Sequence, residues 1–96
     1  MPKFNELIHQ NIRLRIMAPL VILESTDEVD FTYLRDLLKV TDGNLGAHLR
    51  KLEDAGYIAV NKTFIERKPR SFVCSTDEGR KVFKKHVAAL ESIIKE

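Results

Sequence analysis

The chain has no tryptophan and a single cysteine in 96 residues, and the shortage of cysteine closes off a class of protein. Cys74 cannot form an internal disulfide, so a disulfide-stapled scaffold is excluded and a reducing, cytoplasmic setting is expected. Four glycines and three prolines are too few for a linker, and no repeat or low-complexity run is visible. No apolar run approaches the ~18 residues that a membrane span needs, so no membrane partner is expected. The opening residues, MPKFNELIHQ, lack the apolar stretch and small-residue cleavage site of a signal peptide. Catalytic groupings are missing as well. His9, His48, His86 and Cys74 show neither C-x-C nor H-x-x-x-H spacing, so no metal or other cofactor is expected. No Ser/His/Asp set or paired carboxylates stand out, and the expectation is that the protein is not an enzyme.

What the chain does have is one domain's worth of amphipathic segments, read as a single unit over residues 1–96. Charged residues make up 31% and hydrophobic ones 44%, which fits a globular domain with one modest core. The formal net charge of +2 hides a segregated distribution. Glu24, Asp27, Glu28, Asp30 and Asp36 stand against Arg35 alone, whereas Lys62, Arg67, Lys68 and Arg70 stand against Glu66 alone. The second cluster suits an anionic ligand.

Residues 11–24 are apolar almost all round, which predicts a buried helix, and Pro19 within it predicts a kink or a fresh helix start. A short helix or turn is expected over residues 3–10. STDEVD at 25–30 reads as a polar connection, followed by a helix from Phe31 or Thr32 to Lys39 with Leu34, Leu37 and Leu38 inward. The next helix begins at a capping Thr41 and ends at Gly56, placing a helix-turn-helix at about 31–55. With Leu45 at zero on a helical wheel, Leu49 falls at about 40° and Leu52 at about 340°, a narrow apolar stripe. Two helices of an ordinary bundle can be joined in the same way.

After Gly56 the period changes to that of strands. Tyr57–Ile65 and Ser71–Ser75 predict a hairpin, a wing at about 57–75, with ERKPR as a basic loop at its tip. Thr76 then caps a long helix over about 77–95 whose apolar stripe runs through Val82, Phe83, Val87, Leu90, Ile93 and Ile94. The expected fold is α+β, mostly helical: a winged helix-turn-helix with a two-stranded wing and a long C-terminal helix.

The helix at 41–55 carries the chemistry of a groove reader. Asn44 can pair bidentately with adenine, His48 can donate to or accept from a base edge, and Thr41 can bond a phosphate at the helix N-terminus. Asp42 fits cytosine or complements the helix dipole. Gly43, Gly46 and Ala47 allow close approach, although tight packing on a neighbouring helix is the alternative. Arg50 and Lys51 suit phosphates, unless Arg50 pairs with Asp54. Lys62, Arg67, Lys68 and Arg70 place charge on the wing.

Four segments, HQNIRLRI (9–16), DGNLGAHLRKLEDAGYI (42–58), KTFIERKPR (62–70) and TDEGRKVFKKHVAAL (76–90), make the chain resemble small winged-helix transcriptional regulators related to MarR and ArsR proteins. Ser75 departs from the leucine such proteins usually place there. The resemblance implies a homodimeric, sequence-specific regulator of double-stranded DNA, with repression by promoter occlusion. Helix 41–55 enters the major groove and the wing holds the backbone or the adjacent minor groove. Leu7, Ile8, Ile12, Ile16, Leu20, Phe83, Val87, Leu90 and Ile94 are the expected dimer surface. A winged helix that binds another protein and no DNA is the competing reading. The sequence names no small-molecule effector.

Overall fold

The computed structural model describes residues 11–23 and 27–95. Among them, four helices and three strands run in the order α1 (Asn11–Ile22), β1 (Val29–Asp30), α2 (Phe31–Leu38), α3 (Asp42–Asp54), β2 (Ile58–Ile65), β3 (Lys68–Ser75) and α4 (Asp77–Ile94). The helix or turn expected at residues 3–10, and with it Leu7 and Ile8, lies outside the described residues.

Leucine spacing builds the core. Leu34 and Leu38 of α2 and Leu45, Leu49 and Leu52 of α3 are buried against Ile16, Met17 and Leu20 of α1, with Ile58 and Val73 closing the sheet side. Leu37 is 47% exposed, contrary to expectation, because an eight-residue helix turns only the Leu34–Leu38 line inward. Ile16 and Leu20 correct the expected dimer surface. Their exposures are 0% and 1%, because α1 packs against α2, α3, α4 and β3 together and its central line is used within the protomer.

Helix α1 runs through Pro19 without a new start. In its last turn the Leu20 carbonyl, one of those that a helix end leaves unpaired, accepts a hydrogen bond from Ser75 Oγ at 3.0 Å. That contact accounts for a serine, 2% exposed, where a leucine was expected.

The sheet has the order β1-β3-β2 and is antiparallel. Strand β1, in the segment expected to be only a polar connection, is two residues long and too short to show alternation in sequence. The hairpin is also tighter than ERKPR suggested. Its ladder runs unbroken from Ile58↔Ser75 to Ile65↔Lys68, and only Glu66 and Arg67 turn, with φ of 52° and 67°. Lys68, Pro69 and Arg70 therefore belong to β3 and not to a loop.

Two tight junctions orient α3 and α4. Helix α3 ends with Tyr57 N–H donating to the Leu52 carbonyl and Gly56 N–H to the Glu53 carbonyl. The left-handed Gly56, at φ 81°, makes that close possible. Thr76 then locks α4 onto the same turn: its N–H donates to the Tyr57 carbonyl at 3.1 Å and its hydroxyl to the Gly56 carbonyl at 2.6 Å. A side chain at Gly79 would collide with the Tyr57 backbone, its Cβ falling 1.9 Å from the carbonyl oxygen.

Candidate nucleic-acid interface

Helix α3 turns Leu45, Leu49 and Leu52 inward and leaves Asp42, Gly43, Asn44, Ala47, Arg50 and Lys51 exposed. Thr41 caps it, its hydroxyl oxygen accepting from the Asn44 N–H at 3.1 Å. The hydroxyl proton stays available, and the N–H groups of the first turn point out from the positive end of the helix dipole. A Cβ added at Gly43 or Gly46 would meet nothing within 4 Å. The packing explanation for these glycines is thus removed, and a bare stretch of helix faces open space.

Asp42 is engaged. Arg35 of α2 donates to its carboxylate at 2.8 Å and to Asp36 at 3.1 Å, and the two carboxylates raise the arginine's pKa. Arg35 was not singled out by sequence reasoning. Its partner lies seven residues away across a turn that no periodicity links.

His48 is half-buried, and Arg13 of α1 donates from Nε to its Nδ1 at 3.2 Å. Burial first, then the positive charges of Arg13 and Lys51, lower its pKa. The ring is held neutral with Nδ1 as acceptor, which leaves Nε2 carrying the proton. Arg13 is only 5% exposed; it is one of two arginines in a largely apolar helix, which is the signal that could have marked such a partner.

On the wing, Lys62, Arg67 and Lys68 are exposed and make no ion pair among the described residues. Arg70 differs: it is ion-paired with Asp30, its guanidinium 5.8 Å from the Phe72 ring centre. Asp30 at the same time caps α2, accepting from the Thr32 N–H at 2.7 Å, and Arg70 foremost lowers its pKa. Arg70 thus fastens the wing to the start of α2. Arg50, by contrast, forms no ion pair with Asp54. Between α3 and the wing lies a cleft lined by Gly46, Arg50 and Glu53 on one side and Val60, Lys62 and Ser71 on the other.

Of the remaining residues expected at a dimer surface, Ile12, Phe83, Val87 and Leu90 are half-buried, and Ile94 is 81% exposed. The α4 residues buried on the domain are Gly79, His86 and Ala89, and Ile12 and Phe83 pack in part against the protomer's own core, which leaves Ile94 the most open of the set. No group of three or more His, Cys, Asp or Glu side chains that could hold a metal occurs among the described residues. None of their helices is long and apolar enough to cross a membrane. Burial foremost, with Glu28 nearby, raises the Cys74 thiol's pKa, which disfavours the reactive thiolate.

A family model described as a winged helix DNA-binding domain matches residues 12–94. An uncharacterized protein of Methanocaldococcus jannaschii is 32% identical over 82 residues, covering 85% of this chain and 86% of that protein. The solved transcriptional regulator homologue from Pyrococcus horikoshii OT3 is 30% identical, with a TM-score of 0.85 over 95% of this chain and 87% of its own. FabT of Streptococcus pneumoniae, solved in complex with DNA, is 20% identical with a TM-score of 0.60, covering 93% and 64%. That last likeness is one of fold.

Proposed function

The chain belongs to the winged helix DNA-binding domain family, and from that premise we propose that it is a sequence-specific transcriptional regulator acting on double-stranded DNA. One observation carries the reading. The side of α3 that is free of packing, with Gly43, Asn44, Ala47, Arg50 and Lys51 exposed, adjoins a cleft shared with Lys62 of the wing. A duplex seated there meets the helix in its major groove and the wing on its backbone. Asn44 is the base reader, exposed in the first turn with its backbone N–H on Thr41 and its side-chain amide outside the hydrogen bonds of the described residues. Thr41, Arg50, Lys51, Lys62, Arg67 and Lys68 are the phosphate contacts.

The protein works as a homodimer in the cytoplasm, because one domain of this size has a small footprint and two half-sites supply specificity. The second copy covers Phe83, Val87, Leu90 and Ile94 of α4 together with Ile12. The resemblance to MarR-like and ArsR-like regulators favours repression by occlusion of a promoter.

Fluorescence anisotropy with labelled duplexes at several salt concentrations tests the reading. Wild type binds random duplex with a steep salt dependence. Arg67→Ala with Lys68→Ala weakens every duplex alike and flattens the slope by about 0.9 for each phosphate no longer neutralised. On a selected site, Asn44→Ala costs about 1–3 kcal/mol and relaxes one base pair per half-site. No salt-dependent binding to any duplex would leave the protein-interaction reading in its place.

A further inference from the structure

The end of the wing holds a pair of apolar residues that phosphate binding does not call for. Phe64 stands opposite Pro69 in the β2–β3 ladder and is 73% exposed. Side chains alternate along a strand, so this pair lies on the sheet face that also carries Lys62 with Ser71 and Val60 with Val73. Val73 is fully buried, while Val60, Lys62 and Ser71 line the cleft facing α3. Phe64 and Pro69 therefore extend, beyond the core, the wing face that looks toward α3. Lys68 and Arg70 occupy the opposite face.

The hairpin is built to hold them out. A two-residue turn with positive φ at both positions favours Asn-Gly, yet Glu66 and Arg67 occupy it. That turn keeps the strands paired up to Ile65↔Lys68, so the Phe64–Pro69 pair next to it is the non-hydrogen-bonded kind, with close side chains. The missing N–H of Pro69 then faces the strand's open edge, since β1 reaches only Phe72 and Val73. A proline there opposes addition of a further strand.

We propose that Phe64, backed by Pro69, is an apolar wedge that the wing drives into the DNA minor groove, an inference that rests on the DNA-binding reading above. Charge chooses the occupant. Lys62 on the same face, Arg67 in the adjoining turn and Lys68 on the opposite face of the hairpin end have no ion partner among the described residues. A duplex offers two phosphate rails with apolar sugar walls between them, whereas a second copy of this wing would bring the same cations together. The wedge makes the wing sensitive to groove width and to how easily a base step opens, so the wing contributes specificity as well as charge.

The chain has no tryptophan, so Phe64→Trp installs a single indole reporter. Its emission is expected to quench or shift when anisotropy shows a duplex bound. Phe64→Ala is expected to lose affinity about tenfold with the salt slope unchanged and the melting temperature intact, whereas Arg67→Ala changes the slope. An indole signal that stays constant on a bound duplex overturns the wedge. An indole signal that depends on protein concentration without DNA overturns it too, in favour of a second copy. Wild-type protein that binds no duplex defeats instead the reading on which the wedge rests.

Discussion

Replacing Gly46 with alanine should stabilise the protein and weaken its grip on DNA, and the opposed signs make the experiment informative. Gly46 lies inside α3, where glycine costs about 0.8–1.0 kcal/mol relative to alanine through lost backbone entropy. The new Cβ meets nothing within 4 Å, so no clash offsets that gain. For a domain of this size, about 1 kcal/mol raises the melting temperature by about 4–8 °C, measurable by circular dichroism. The same methyl group projects beside the cleft shared by Arg50, Glu53, Lys62 and Ser71. If DNA comes within contact distance of the bare helix, the methyl holds it off, and affinity should fall about tenfold, or about 1.4 kcal/mol. Gly43→Ala, in the first turn, should act in the same direction with a smaller gain in stability. A lower melting temperature for Gly46→Ala would refute the open-space argument. A higher one with unchanged affinity would show that α3 does not approach DNA along this side.

Two further outcomes test the scaffold that presents the site. Gly79→Ala should destabilise by about 3 kcal/mol or more, because the three atoms nearest its Cβ all belong to the Tyr57 backbone and cannot rotate away; urea unfolding checks this, and a wild-type midpoint would disprove the close contact. His48 has a lowered pKa in the fold, so between that value and the ordinary 6.5 the unfolded chain binds more protons. Its contribution is therefore full above pH 6.5 and lost as the pH falls toward the lowered value. In thermal melts against pH, the difference between wild type and His48→Gln should be constant above pH 6.5 and shrink or reverse as the pH falls through the window, the other histidines cancelling in the difference.

The elements with a long period were legible in the sequence, and those set by one or two residues were not. Leu45, Leu49 and Leu52 announced α3 and its buried face, and Thr41, Gly56 and Thr76 marked helix ends through side-chain oxygens or a left-handed φ. Strand β1 escaped because two residues carry no alternation. The wing turn escaped because Glu66 and Arg67 lack the residue types that favour positive φ. The ion pairs of Arg70 and Asp42 escaped for a different reason. Their partners, Asp30 and Arg35, lie 40 and 7 residues away, and no local pattern connects an ion pair across a turn or a sheet. Ile16 and Leu20 looked like surplus apolar residues, since sequence alone does not reveal how many elements crowd around α1.

The segregated charge of the sequence is partly cancelled by the fold, and where it cancels says how the two elements proposed to face DNA are kept in register. Asp30 ends β1, caps α2 and holds Arg70 of β3. Arg35 of α2 holds Asp42 at the start of α3. The first contact ties the wing to α2 and the second ties α2 to α3. Exposed ion pairs contribute about 0–1 kcal/mol each, too little to explain the fold's stability. Their effect is positional: α2 becomes a common reference for α3 and the wing. Arg50, Lys51, Lys62, Arg67 and Lys68, on α3 and the β2–β3 hairpin, remain without ion partners among the described residues. On these two elements positive charge is thus left where a phosphate can reach it, while Arg70, ion-paired with Asp30, joins the wing to the start of α2.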